Sequence, residues 1–266
     1  MTTHLSKSIL DYISNKAMPR RSNPASDWQL DTLINHEHKL IIYINAKCAS
    51  GTIKTWFLQQ IGVLPTDISG EADKFLGKSI HDYIKENYKL YCAPKKHYNN
   101  YTTAIVVRNP WRRVVSCYCN KILIKENHLK TLDISSKEDY EKEISFREFV
   151  NLISKIDHAH LEQHLRSQVF GREHIHFDYI IKMENLNADL SELSKNRGIQ
   201  TAPLALDRRN PTDYHEHLIG PPVYDHKSST FKHIPAYTSF YDKRLIDAVE
   251  KKYKADIKLF NYKFHD

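Results

Sequence analysis

The chain predicts an α/β architecture, with a central, mostly parallel sheet flanked by helices. Two stretches carry that prediction. Residues 39–58, KLIIYINAKCASGTIKTWFL, pass from an apolar run through a tight loop into a helical pattern. Residues 101–126, YTTAIVVRNPWRRVVSCYCNKILIKE, repeat the order strand, turn, helix. Two parallel neighbours cannot be joined by a hairpin, so alternation of this kind argues for a parallel sheet with crossover helices. At 266 residues the chain can bury a substantial core as one large domain.

Residues 1–38 are polar and PRRSNPASD breaks any regular element, so a short leading helix followed by a loop is expected there. Leu40, Ile41, Ile42 and Ile44 form the run of a buried parallel strand. From Thr52 onward, Ile53, Trp56, Phe57, Gln60 and Ile61 recur at helical spacing, and Gly62 and Pro65 end the pattern. SIHDYIKENYKLY reads as a helix running into a strand, with His81 near its start. Residues 101–110 form a second β-branched strand, and Pro110 suits the first turn of the helix after it. Residues 127–145 are highly charged and read as an exposed insertion; FREFVNLI is a helix, and the histidine-rich DHAHLEQHLRSQVF a loop. HIHFDYIIKMENL, 174–186, reads as a third strand, and NADLSELSKNRG as a helix stopped by Gly198. Residues 200–235 have no period and read as a long functional loop. Residues 238–260 read as one amphipathic helix, with Leu245, Val249, Tyr253 and Ile257 on its apolar side.

The chain carries 39 Lys and Arg against 32 Asp and Glu, a net charge of +7, which favours an anionic ligand or partner. The basic residues are spread among the acids rather than clustered with aromatics, which argues against a nucleic-acid-binding surface. No stretch reaches the roughly 18 apolar residues of a membrane span, and MTTHLSKSILDYISNK lacks a signal-peptide core. Cys48, Cys92, Cys117 and Cys119 make neither a C-x-x-C pair nor a metal-spaced set. Reduced thiols in a cytosol fit that pattern; a lumenal domain trimmed of a membrane anchor would look the same.

The loop Asn45–Gly51 is the first candidate site. A small-residue loop feeding a helix start aims backbone N–H groups and the positive end of the helix dipole at one point, an anion site to which Lys47 adds a mobile charge. An ordinary strand–helix connection with a solvated lysine would use the same residues. The nucleotide-triphosphatase loop needs G-x-x-x-x-G-K-[ST]; here Lys47 precedes Gly51 and no GK[ST] occurs in the chain. At the second turn Arg108 ends the strand and Ser116 lies about two helical turns on, so a guanidinium fork and a hydroxyl could converge on one phosphate. Arg108 pairing a carboxylate and Ser116 bonding back along its helix is the plainer alternative.

Together these two motifs resemble the sulfotransferase superfamily, specifically the carbohydrate sulfotransferases of Golgi and bacterial type (sulfotransferase family 2), over most of the chain from Lys39 to Phe264. AKCASGT resembles the family's 5′-phosphosulfate loop, with Ala46 where a proline is common. VVRNPWRRVVSCYCNK is similar to its 3′-phosphate motif, R-[DN]-P-[FW]-x-R-x-x-S-x-Y-x-N-K. Each position is matched, by Arg108, Asn109, Pro110, Trp111, Arg113, Ser116, Tyr118, Asn120 and Lys121. EQHLRSQ at 162–168 echoes D-x-H-W-x-P-Q, with Leu165 and Ser167 replacing Trp and Pro, and FDYIIKMENLNADL echoes Y-D-x-I-x-K-x-E-x-L-x-x-D.

The resemblance implies a P-loop-like three-layer fold and one domain over 1–266. Within it, 1–38 is an N-terminal extension, 39–126 the donor-binding core, 127–235 the acceptor side and 236–266 a C-terminal helix. It implies 3′-phosphoadenosine 5′-phosphosulfate (PAPS) as donor, no metal, and transfer to a hydroxyl-bearing acceptor, a glycan that could itself be anionic. The N–H groups of Cys48, Ala49, Ser50, Gly51 and Thr52 would cradle the 5′-phosphosulfate, and Lys47 would neutralise charge on the leaving oxygen. Arg108 and Ser116 would hold the 3′-phosphate. An acceptor hydroxyl needs a base, for which His81 is the first candidate and His97 and His164 the next. Arg208 and Arg209 could meet an anionic glycan. The alternatives are a magnesium-dependent P-loop-like small-molecule kinase, a basic non-catalytic nucleic-acid-binding protein, and a sulfotransferase fold that binds nucleotide without catalysis.

Overall fold

The computed structural model describes residues 32–64, 78–91, 100–123, 143–199, 214–215, 223–226 and 234–266. They fall into two compact units. One takes the described residues from 32 to 108 and from 171 to 199; the other takes those from 109 to 170 and from 214 to 266. The expected leading helix, His97, Cys92, Arg208, Arg209 and most of the 127–145 and 200–235 segments lie outside the described residues.

The first unit holds a four-stranded sheet in the order β1-β2-β3-β4, with β1 at Thr32–Asn35, β2 at Leu40–Tyr43, β3 at Thr102–Val107 and β4 at Tyr179–Lys182. β2, β3 and β4 are parallel, with Leu40 opposite Thr102 and Ala104 opposite Tyr179. The α/β expectation holds. The loop expected at the end of residues 1–38 is corrected: Thr32–Asn35 pairs antiparallel with β2. Only Leu33 and Ile34 are apolar in that strand, too few for a visible period, and the tight turn to β2 is closed by Asn35 Oδ1 accepting from the His38 N–H.

Leu33, Leu40, Ile42, Ala104, Val106 and Ile181 share one core with Ile53, Trp56 and Phe57 of the helix Ser50–Gln60, Ile84 of Ile80–Glu86, and Leu190 and Leu193 of Leu186–Arg197. Burying each such side chain stabilises by about 1.5–3 kcal/mol. The alternate residues Ile41, Ile105 and Val107 are buried as well, as a parallel sheet's second face requires. The loop helix is more buried than its stripe predicts, since Ile53 to Leu58 are all enclosed, Lys54 and Thr55 included. Gly62, at φ +69°, lets the chain leave that helix in a left-handed turn.

Two further expectations change. Tyr88–Tyr91 is a short helix rather than the strand expected after 80–86. The strand expected over 174–186 shrinks to four residues because carboxylates replace the ladder at each end. Asp178 Oδ2 accepts from the Thr103 N–H at 2.8 Å, and Asp189 Oδ2 accepts from the Lys182 N–H at 2.7 Å. The helix ending at Arg197 does stop on Gly198, at φ +63°.

The second unit begins with the helix Pro110–Tyr118, which continues as a π-helical turn, Cys119–Leu123. Asn109 caps it by accepting from the N–H groups of Trp111 and Arg112. The helix Phe146–Ser154 starts on a capping box between Ser145 and Glu148. β5 at Tyr214–His215 and β6 at Ile234–Pro235 form a short parallel pair. The single helix expected over 238–260 is two, Lys243–Lys252 and Lys254–Phe260, broken at Tyr253. Within Lys254–Phe260 the buried positions are Asp256 and Phe260, not Ile257.

His158 in this unit is structural. Its Nε2 bonds the Lys252 carbonyl at 2.9 Å and its Nδ1 accepts from the Ser167 N–H at 3.1 Å, so only the neutral ring serves both partners. Burial pushes its pKa below the ordinary 6.5, helped by the Lys252 charge and opposed by the bond to the Lys252 carbonyl and the charges of Asp256 and Asp157. A depressed histidine stabilises the fold above pH 6.5, and that stability drains as pH falls through the lowered folded value. In urea unfolding between pH 7 and 5, the wild type should therefore lose more stability than His158→Asn. Equal slopes would reject this account.

Candidate active site

β2 and β3 are parallel neighbours, so the chain leaving each emerges at the same edge of the sheet, where open α/β sheets bind ligands. From β2 comes the loop 44–49. Its φ is positive at Lys47 (+66°) and again at Ala49 (+55°) but not at Cys48. A left-handed conformation costs a side chain about 1–2 kcal/mol; within this turn the Cys48 N–H donates to the Asn45 carbonyl at 3.2 Å. Cys48, with no exposed surface, anchors the loop from beneath. Ala49, the residue before the helix, provides no side-chain cap, so the first N–H groups of that helix face outward with its dipole. A Cβ added at Gly51 would meet nothing within 4 Å, which leaves space for a ligand's close approach.

Two arginines brace this loop. Arg108, immediately after β3, donates from Nη1 to the Lys47 carbonyl at 3.1 Å. Arg172, only 7% exposed, donates from Nη1 to Asn45 Oδ1 at 3.2 Å, while Asn45 Nδ2 donates to the Val106 carbonyl at 3.1 Å. Arg172 also lies 5.4 Å over the Tyr43 ring. Burial raises the Tyr43 pKa and the Arg172 charge partly offsets it. The Asn45 amide thus ties β2, β3 and Arg172 together. Sequence reading missed Arg172, because it sits in a segment without period or motif, and it treated Asn45 merely as a loop residue.

Lys47, the N–H groups of 49–52 and Arg108 therefore come together in the first unit, and the electrostatics suit an oxyanion. His81 stands exposed in the first turn of Ile80–Glu86, and its Nδ1 is 2.9 Å from Nζ of the buried Lys54, on the loop helix. Sequence reading also missed Lys54, which is not one of the residues on the helical stripe.

Ser116 belongs to the second unit, on the inner face of the helix Pro110–Tyr118, and is buried. Much of its motif is architectural. Besides the Asn109 cap, Trp111 Nε1 donates to the Ile246 carbonyl, and Tyr118 Oη donates to the Ile144 carbonyl at 2.8 Å. Arg113, 2% exposed, donates to the carbonyls of Arg166 (2.7 Å) and Gln163 (3.0 Å). It thus holds the segment 162–168, which sequence reading could only treat as a weak echo. Asp256 holds the same segment, accepting from Ser167 Oγ at 2.6 Å and from the Gln168 N–H at 2.9 Å. Within it, His164 Nδ1 lies 2.7 Å from Glu162 Oε1. Burial alone would raise the Glu162 pKa, yet the bonds from His164, together with its charge and that of Lys121, bring it below the usual carboxylate value.

The profile described as "Sulfotransferase family" matches residues 30–263. The chain belongs to the sulfotransferase family. Its chemistry is the transfer of a sulfuryl group, and a hydroxyl-bearing acceptor suits that chemistry. No curated protein and no solved structure gives a significant match to this sulfotransferase. Among its described residues, no His, Cys, Asp and Glu group is placed to hold a metal ion, and no helix is long and apolar enough to cross a membrane.

Proposed function

We propose that this sulfotransferase moves the sulfuryl group of PAPS to a carbohydrate hydroxyl by in-line transfer, with a histidine receiving the acceptor's proton. The observation that carries this reading is the uncapped, left-handed loop braced through the Lys47 carbonyl by Arg108. The protein's work is to align donor and acceptor and to offset spreading negative charge. The N–H groups of 49–52, with the Ser50 and Thr52 hydroxyls, receive the 5′-phosphosulfate; the Cys48 N–H, expected among them, donates instead to the Asn45 carbonyl. Lys47 neutralises the bridging oxygen as the nucleotide leaves, and Arg108 takes the 3′-phosphate. The net charge of +7 suits an anionic glycan. PAPS brings the activated sulfuryl group; the residues above bind and orient it.

Isothermal titration with adenosine 3′,5′-bisphosphate (PAP) in EDTA, beside ATP with magnesium, tests the donor. Micromolar PAP binding is expected. ATP–magnesium binding in its place would favour the kinase reading. Arg108→Ala should weaken PAP about 10- to 100-fold, the worth of one or two hydrogen bonds to a charged group; unchanged affinity would remove Arg108 from the phosphate site.

A further inference from the structure

The peptide unit joining Lys47 to Cys48 is gripped at both ends. Its carbonyl accepts from Arg108 Nη1 at 3.1 Å, and its N–H donates to the Asn45 carbonyl at 3.2 Å. A peptide unit is planar, so these two bonds fix its rotation. They thereby set the direction in which the Lys47 side chain leaves the backbone, at φ +66°. Both anchors run back to β3. Arg108 follows that strand directly, and Asn45 Nδ2 donates to the Val106 carbonyl at 3.1 Å. The other end of the Asn45 amide, Oδ1, accepts from Arg172 Nη1 at 3.2 Å. A backbone carbonyl only accepts and a guanidinium only donates, so these two neighbours allow one orientation of the amide. Asn45, Val106 and Arg172 are all buried, where such bonds are strong and costly to leave unmade. Arg172 is itself seated over the Tyr43 ring, which meets Phe177 in a T-shaped pair at 5.6 Å.

We infer that Arg172 is a positioning residue for sulfuryl transfer, acting through Asn45 to aim Lys47. This rests on the PAPS-dependent reading above. Arg172 holds the Asn45 amide, Asn45 holds the 47–48 peptide unit, and that unit directs the ammonium. Every residue in this series belongs to the first unit. As the sulfuryl group passes to the acceptor oxygen, the acceptor's proton goes to the histidine. The electron pair of the breaking bond stays on the bridging oxygen of the departing PAP, which the ammonium must already face. Stabilisation of that kind depends on a group fixed in advance, and a misplacement of about 1 Å costs on the order of 100-fold in rate. Without Arg172 the Asn45 amide turns more freely, and the left-handed backbone at Lys47 loses a support.

PAP release from PAPS by the full chain, measured beside PAP titration, tests the assignment through double-mutant cycles. Arg172→Met should slow release about 10- to 100-fold, with PAP affinity falling less. On a Lys47→Ala background the same change should cost less than about twofold, because no ammonium is left to aim. Asn45→Ala should match the loss from Arg172→Met, and combining the two should slow release by less than about twofold beyond the slower single variant. Arg172→Lys, which keeps a charged donor, should retain more of the rate than Arg172→Met. If Arg172→Met fails to fold, Asn45→Ala removes the same link from the loop side and completes the cycle with Lys47→Ala. Losses that simply add to that of Lys47→Ala would show that Arg172 supports the fold without aiming the lysine. Either that result or a wild-type rate for Arg172→Met overturns the assignment. A wild type that does not bind PAP would overturn the donor reading, and the role of Arg172 with it.

Discussion

Lys47→Ala should lower the rate of sulfuryl transfer about 100- to 1000-fold, the loss typical when one preorganised group facing transition-state charge is removed. PAP affinity should fall far less. The asymmetry follows from where charge develops. On the proposed reading the ground-state nucleotide would already have the loop N–H groups and the guanidinium of Arg108, which donates to the Lys47 carbonyl. Alanine keeps that carbonyl, and it adopts the left-handed backbone at this position (φ +66°) no worse than lysine does. The ammonium itself matters most when the bridging oxygen takes up negative charge, so its interaction belongs to the transition state. PAP release from PAPS, measured beside PAP titration, decides the point. Equal losses in rate and affinity would mean that Lys47 only binds.

Asp256→Ala should produce the largest stability loss, about 3–5 kcal/mol. The carboxylate has no exposed surface and accepts from Ser167 Oγ and the N–H of Gln168, with the Val169 N–H at 3.4 Å. Removing it strands those donors in a region water does not reach. Thermal unfolding should shift down on the order of 10 °C. Asp256→Asn, which keeps an acceptor oxygen, should lose clearly less. A drop of only about 1 kcal/mol for alanine would show that the 167–169 segment relaxes and finds other partners. Because His164 sits in the segment that Asp256 and Arg113 anchor, the stability test also probes what holds a candidate proton acceptor.

Local chemistry was enough to read the framework. β2 and β3 are apolar, β-branched runs because a parallel strand is buried on both faces, and that needs no partner to be visible. Pro110, the Asn109 cap, Gly62 and Gly198 act within a turn of their own positions, so their effect can be read from neighbouring residues. The loop Asn45–Gly51 and Arg108 could be singled out as candidates for the same reason, since a strand–helix junction able to hold an anion is a local device.

What tertiary structure decided are contacts between residues far apart in the chain. β1 has two apolar residues and exists because β2 offers an edge. β4 is short because Asp178 and Asp189 intercept its ends. Asp256 turns inward because the 167–169 N–H groups need an acceptor, where amphipathic spacing alone favoured Ile257. Arg172 reaches Asn45 across 127 positions. The roles open to the histidines were least legible of all. His81 and His164 are the same residue type, and only the tertiary structure shows the group against Nδ1, an ammonium for one and a carboxylate for the other.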